Sequence, residues 1–112
     1  MMIDKLEYKN YINCLFDIYG SLLTIKQQEY FKMYYFEDLS LREIASVAGV
    51  SSNAVYDQIK TIEKALEKYE ENLNIYSENE ARNRALNKIE EVLEKKNIND
   101  DEIKKLIEEI KK

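Results

Sequence analysis

The chain has 112 residues, of which 17 are basic and 22 are acidic, so its formal net charge at pH 7 is −5. A single cysteine and no histidine exclude an internal disulfide and leave no ligand set for zinc. With no proline, two glycines and 45% hydrophobic residues, the composition favours long helices around a modest core. We therefore expect an all-α, cytoplasmic protein without a cofactor and without membrane insertion, because no apolar run approaches the length of a membrane span.

The first helix is predicted at about residues 4–19, because apolar residues keep helical spacing up to Tyr19 and Gly20 is placed to end the helix. Cys14 lies in this helix, and we expect it to be a small buried hydrophobe. Nothing near it in the sequence would create a reactive thiolate.

A second helix is predicted from Thr24 through about Phe36, because Thr24 and Gln27 form a capping box. Nine of the twelve aromatic residues lie between Tyr8 and Phe36. They could stack on nucleic-acid bases, but aromatics at helical spacing more often form a core. We favour the core interpretation.

The stretch LSLREIASVAGVSSNAVYDQIKTIEKAL predicts a helix-turn-helix at about residues 40–66. Ser40 and Glu43 form a second capping box, Gly49 can adopt the left-handed conformation of a helix C-cap, and Ser51 is placed to cap the next helix. The apolar stripe of the short first helix consists of Leu41, Ile44, Ala45 and Ala48. The small side chain of Ala45 suits a steep helix crossing over a short turn.

The helix after Ser51 is predicted to run to about Leu73 and carries an apolar seam with the spacing of a coiled coil. The seam consists of Val55, Ile59, Ile62, Leu66, Tyr69 and Leu73. Its distal half would need a partner, either the C-terminal helices or a second copy of the chain. We expect a homodimer, with candidate self-association residues Ile62, Leu66, Tyr69 and Leu73.

The composition changes after Leu73, so we divide the chain into a helix-turn-helix domain at residues 1–73 and a C-terminal helical extension at residues 74–112. The polar residues 74–83 predict a turn that leads into a helix at about residues 78–96. Asn99 with Glu102 predicts a third capping box, which opens a last short helix.

In a helix-turn-helix, the N-terminal part of the second helix enters the major groove of DNA. The candidate contact residues for DNA or another partner are Arg42, Ser52, Asn53, Tyr56, Asp57 and Lys60. Asn53 could bind an adenine edge and Asp57 could accept from a cytosine amino group. Phosphate contacts need Lys and Arg, however, and this face has few of them.

The charge distribution does not supply a basic surface elsewhere. Basic and acidic residues number 2 and 3 in residues 1–19, 6 and 9 in residues 20–73, and 9 and 10 in residues 74–112. A helix-turn-helix can also bind protein, and an acidic molecule with an amphipathic helix suits that use. We predict no enzymatic activity, because the sequence has no phosphate-binding loop, no dinucleotide-binding glycine pattern and no nucleophile beside a base.

Residues 15–76 resemble the YlxM family of bacterial helix-turn-helix proteins. The resemblance begins with LFDIYGS at residues 15–21, followed by LLT at 22–24 and KQ at 26–27. It continues through YY at residues 34–35, EDLSL at 37–41 and EIA at 43–45. At the start of the second helix it includes NAVYD at residues 53–57 and IK at 59–60. The arrangement also resembles region 4 of bacterial sigma factors. The chain departs from the family at Ser52, where the family commonly carries Arg.

The resemblance implies a small cytoplasmic regulator of the signal recognition particle pathway, with the particle's GTPase or its receptor as the partner. The primary hypothesis is therefore a non-enzymatic regulator with a helix-turn-helix like that of sigma factor region 4. The alternative hypothesis is a sequence-specific transcriptional regulator that uses the same face to bind DNA.

Overall fold

The computed structural model describes residues 4–111, and over these residues the fold is all-α, as the sequence predicts. Residues 1–3 and 112, at the outer ends of the two expected domains, lie outside the described residues. The six helices are α1 (Lys5–Tyr19), α2 (Ile25–Phe31), α3 (Leu41–Ala48), α4 (Ser52–Leu73), α5 (Ile75–Lys95) and α6 (Asp101–Lys111). A 3₁₀ turn, Gly20–Leu22, precedes α2, and a π-helical turn, Lys32–Phe36, extends it.

The chain forms two compact units, and the boundary between them in the sequence lies between Asn74 and Ile75. We call them the N-terminal unit, which contains α1 to α4, and the hairpin unit, which contains α5 and α6. Asn74 ends α4 in the left-handed conformation, with φ 56°, and its N–H donates to the Glu70 carbonyl at 2.8 Å. A single residue separates the two helices in the sequence, because α5 begins at Ile75, so the predicted turn at residues 74–83 is wrong.

Polar side chains cap the starts of the helices. Thr24 and Gln27 form the predicted capping box of α2, and Asp4 caps α1 by accepting from the Glu7 N–H at 2.8 Å. The predicted cap of α6 is shifted by one residue. Asp100, rather than Asn99, accepts from the Ile103 N–H at 3.0 Å.

The aromatic residues of α1 and α2 form much of the core, which confirms the core interpretation. Phe31 is fully buried, stacks on Phe16 at 4.1 Å between ring centroids and stacks on Tyr35 at 4.5 Å. Gly20 lies close beside this stack, where a Cβ atom would come within 3.1 Å of the Phe16 ring, closer than ordinary van der Waals contact. Cys14 is exposed, so the expectation that it is buried is wrong.

The seam of α4 is mostly enclosed by the N-terminal unit itself, since α1, α2 and α3 all pack on α4. Ile62 and Leu66 have no exposed surface, and Tyr69 lies against Tyr19 with ring centroids 5.9 Å apart. Leu73, by contrast, is half exposed. This corrects the predicted self-association site, because the burial of Ile62 and Leu66 removes them from any surface that a second copy could reach.

Candidate functional site: the exposed face of the helix-turn-helix

The turn between α3 and α4 is fixed by local hydrogen bonds. Ser40 Oγ accepts from the Glu43 N–H at 3.1 Å, and the Glu43 carboxylate accepts from the Ser40 N–H at 2.9 Å. This backbone bond, with the help of the Ser40 side chain, lowers the pKa of Glu43. Gly49 ends α3 with φ 71°, as predicted, and Ser51 Oγ caps α4 by accepting from the Ala54 N–H at 3.1 Å.

All six candidate contact residues are exposed. Ser52, Asn53, Tyr56, Asp57 and Lys60 lie on one face of α4, because their spacing follows the helical repeat. Arg42 lies in the first turn of α3. We call these six residues the helix-turn-helix face.

Lys60 is the basic residue of this face on α4, and its ammonium group interacts with two side chains of the same helix, Glu63 and Tyr56. Its Nζ lies 3.3 Å from Glu63 Oε1 and 5.5 Å from the centre of the Tyr56 ring. The Glu63 carboxylate raises the pKa of Lys60, first through its charge and then through the hydrogen bond. The ammonium group is therefore charged, but its field is largely cancelled by a neighbouring carboxylate.

Further along α4, beyond Lys60, three tyrosines donate hydrogen bonds to three glutamates of this helix, and sequence reasoning did not find these bonds. Tyr8 donates to Glu67 at 2.6 Å and Tyr19 donates to Glu70 at 2.7 Å. The third bond runs from the Tyr35 hydroxyl to Glu63 Oε2. Together we call these bonds the Tyr–Glu ladder.

The environment of the ladder favours the protonated form of two of its tyrosines, Tyr8 and Tyr35. Burial, reinforced by the hydrogen bond to Glu63, raises the pKa of Tyr35, and the same two causes, with Glu67 as acceptor, raise the pKa of Tyr8. Glu63 is 6% exposed and Glu70 is 7% exposed, so their carboxylates need these donors. Glu63 thus connects Lys60 at the surface to Tyr35 in the core.

The turn also presents exposed apolar side chains, of which sequence reasoning selected Tyr56 but not Val47 or Val50. Val47 is 71% exposed, Val50 is 39% exposed and Tyr56 is 49% exposed. Val47 could have been identified from the sequence, because it lies off the apolar stripe of α3. These three side chains give the front of the helix-turn-helix an apolar character that phosphate binding would not need.

An open groove of about 590 Å³ adjoins Lys60. Tyr8, Tyr34 and Tyr35 line it, and an ion pair between Lys9 and Asp38, 2.9 Å long, lies among its lining residues. The groove has charges of both signs and aromatic walls, as protein-binding surfaces commonly do.

Two classes of site find no support in the described part of the chain. Among residues 4–111, no cluster of acidic or cysteine side chains is arranged to hold a metal ion. None of the described helices is long and apolar enough to cross a membrane.

The comparison with protein families agrees with this geometry. The model of the UPF0122 family of helix-turn-helix proteins, YlxM / p13 like, matches residues 6–110. The chain belongs to this family. Because the match continues to residue 110, the YlxM-like pattern includes the hairpin unit as well as the helix-turn-helix.

Individual UPF0122 proteins are similar along most of the chain. The protein from Listeria welshimeri is 44% identical over 105 residues, covering 94% of this chain and 96% of its own length. The protein from Bacillus cereus (strain AH187) is 43% identical over 111 residues, covering 99% and 98%. The protein from Limosilactobacillus fermentum is 51% identical over 85 residues, covering 76% and 75%.

Proposed function

We propose that this YlxM-like protein is a non-enzymatic, cytoplasmic regulator that binds the GTPase of the signal recognition particle, or the receptor of that GTPase, through the helix-turn-helix face. The pathway comes from the YlxM resemblance. The use of the face for protein rather than DNA is argued from its electrostatics. The proposed relation to sigma factor region 4 concerns the arrangement of the helices and not promoter binding.

The pairing of Lys60 with Glu63 is the observation that carries the proposal. Non-specific and specific DNA binding both depend on Lys and Arg contacts to phosphates. Here the α4 cation lies 3.3 Å from a carboxylate, and Asp57 adds a second negative charge to the same face. Arg42 on α3 is then the remaining basic residue of the face.

The exposed apolar side chains support a protein partner. Val47, Val50 and Tyr56 surround the turn, and an aromatic residue with exposed aliphatic neighbours is typical of the centre of a protein interface. A partner that covered these side chains would also remove water from Lys60, since Glu63 is already buried, and would need an acceptor group opposite Lys60.

The alternative function is sequence-specific DNA binding. One observation favours it: Ser52 and Asn53 are exposed in the first turn of α4, where a recognition helix contacts bases. If the protein binds DNA in this way, its affinity for a DNA duplex should fall steeply as the salt concentration rises. Lys60→Ala and Arg42→Ala should then lower both the affinity and its salt dependence.

A binding titration distinguishes the two functions. We expect the purified particle GTPase, or its purified receptor, to bind the protein, and Tyr56→Ala to weaken this binding at least about tenfold. Ile25→Ala is the matched control, because Ile25 is 75% exposed and lies outside the face. Duplex DNA at low salt should not bind measurably. Duplex binding with a steep salt dependence, together with no binding to either protein, would refute the proposal.

A further inference from the structure

The hairpin unit leaves much of its apolar surface uncovered. Leu86 and Ile107 are its buried hydrophobic residues among those described. Ile89 is 47% exposed and Val92 is 43% exposed on α5, while Leu106 and Ile110 on α6 are 52% and 50% exposed. We call these four exposed residues the hairpin ridge.

The four residues lie on the same side of the hairpin. The two helices approach each other at Glu90 and Ile107, which both line an open pocket of about 460 Å³, and Lys111 pairs with Glu90. Ile89 immediately precedes Glu90, and Leu106 immediately precedes Ile107. Successive residues of an α-helix are rotated by roughly 100° around its axis. Because α5 and α6 are antiparallel, the residue that precedes the contact residue points to the same side of the hairpin in both helices.

Two helices with so little core do not supply enough burial for stability of their own. Units below about 40 residues usually need disulfides, metals or association with another chain. The described residues of this unit include no cysteine and no metal cluster. The ridge is therefore a surface that a partner should cover.

The charges beside the ridge identify the partner. On the outer edge of α5, beyond Ile89 and Val92, lie the exposed Lys88 and Lys95. On the outer edge of α6, beyond Leu106 and Ile110, lie the exposed Glu102 and Glu109. The exposed Glu91 lies between the two lysines along α5, and the exposed Lys105 lies between the two glutamates along α6. The charges therefore alternate in opposite order on the two helices, with a net positive edge on α5 and a net negative edge on α6, and the surface is complementary to itself under a two-fold rotation.

We propose that a second copy of this chain covers the hairpin ridge. The two-fold axis runs parallel to the helices, so α5 of each copy packs antiparallel to α6 of the other in a four-helix bundle. Lys95 then lies opposite Glu102 of the other copy, and Lys88 lies opposite Glu109. All the residues of the proposed interface belong to the hairpin unit.

Sedimentation equilibrium tests the interface. The full-length protein should have twice the chain mass of 13.3 kDa, and Leu106→Lys should halve the measured mass. Leu6→Lys is the control, because Leu6 is 68% exposed on α1 and should leave the dimer intact. Circular dichroism shows whether each variant remains helical. A wild-type protein that is monomeric at about 100 µM would overturn the proposal, because the dissociation constant of the dimer would then lie well above that concentration.

Charge reversal tests the identity and orientation of the partner. Lys88→Glu with Lys95→Glu makes both edges acidic, and Glu102→Lys with Glu109→Lys makes both edges basic. Each double variant should dimerise at least about tenfold more weakly than the wild type, because like charges then face each other. An equimolar mixture should form mixed dimers, because each acidic edge then faces a basic one. Double variants that dimerise normally, or a mixture that stays monomeric, would refute this geometry.

Discussion

The N-terminal unit and the hairpin unit are both built from helices, but they differ in how much of their hydrophobic surface they bury. Thirteen of the fifteen buried hydrophobic residues in the described part of the chain belong to the N-terminal unit. In that unit even the carboxylates of Glu63 and Glu70 are enclosed and hydrogen bonded. The hairpin unit buries two hydrophobic residues and exposes a ridge.

The difference shows where partners are needed. A unit that encloses its own core has its exposed face available for regulation, and in the N-terminal unit that face is the helix-turn-helix. A unit that cannot enclose its core gains stability from association. The two predicted interfaces of this protein therefore have different purposes, and changes in one unit should leave the other largely unaffected.

The largest expected effect is in the core of α4. Leu66→Ala should lower the free energy of unfolding by about 3–5 kcal/mol, because Leu66 is fully buried and its loss leaves a cavity. Leu73→Ala, one heptad further along the same helix, should cost less than about 1 kcal/mol, because Leu73 is 51% exposed. Urea denaturation followed by circular dichroism measures both. Equal losses would contradict the closed core.

The Tyr–Glu ladder should give the next largest effect. Tyr35→Phe should lower the free energy of unfolding by about 1–3 kcal/mol, because Glu63 then loses a donor while it remains buried. Tyr34→Phe is the matched control from the same π-helical turn and should change stability by less than about 0.5 kcal/mol. Urea denaturation of the two variants makes the comparison. A Tyr35→Phe variant as stable as the control would mean that the hydrogen bond contributes nothing.

A smaller effect is expected at the turn. Gly49→Ala should cost about 1–2 kcal/mol, because Gly49 has φ 71° and other residues resist the left-handed conformation. The cost is conformational, since a Cβ atom there would meet nothing within 4 Å. Gly49→Asn should be milder, because asparagine tolerates this conformation. Thermal unfolding of the two variants tests this order, and a reversed order would contradict it.

The smallest effect is a pH dependence at the start of α3. The pKa of Glu43 is lowered by the hydrogen bond from the Ser40 N–H, so its carboxylate stabilises the folded state above its unfolded pKa. This contribution is lost as the pH falls through the lower, folded pKa. The stability difference between the wild type and Glu43→Gln should therefore shrink below about pH 4, measured by urea denaturation at several pH values. A difference that is constant with pH would show that the charge of Glu43 has no role.

Local signals predicted the helix-turn-helix well. The capping box of Ser40 with Glu43, the left-handed Gly49 and the Ser51 cap all depend on residues within a few positions of each other, and all three are present. The exposed positions of α4 followed from the same helical periodicity. Local chemistry also predicted the start of α2 correctly.

Long-range contacts were not predictable in the same way. Glu63 and Glu70 follow seam positions of α4, where glutamate is ordinarily exposed. Hydrogen bonds from tyrosines 28 and 51 residues away in the chain help to make their burial favourable. The pattern of the seam did not reveal that α1 covers it within the same chain. The turn at Asn74 was expected to be longer because polar composition does not distinguish a loop from the exposed face of a helix.

Hydrogen exchange on the full-length protein at two concentrations tests the contrast between the two units most directly. Backbone amides around Ile62 and Leu66 in α4 should be strongly protected, and to the same degree at both concentrations, because their core lies within one chain. Amides around Ile107 in α6 should be less protected in dilute protein and should gain protection as the concentration rises. Equal protection of α4 and α6 at both concentrations would contradict the account.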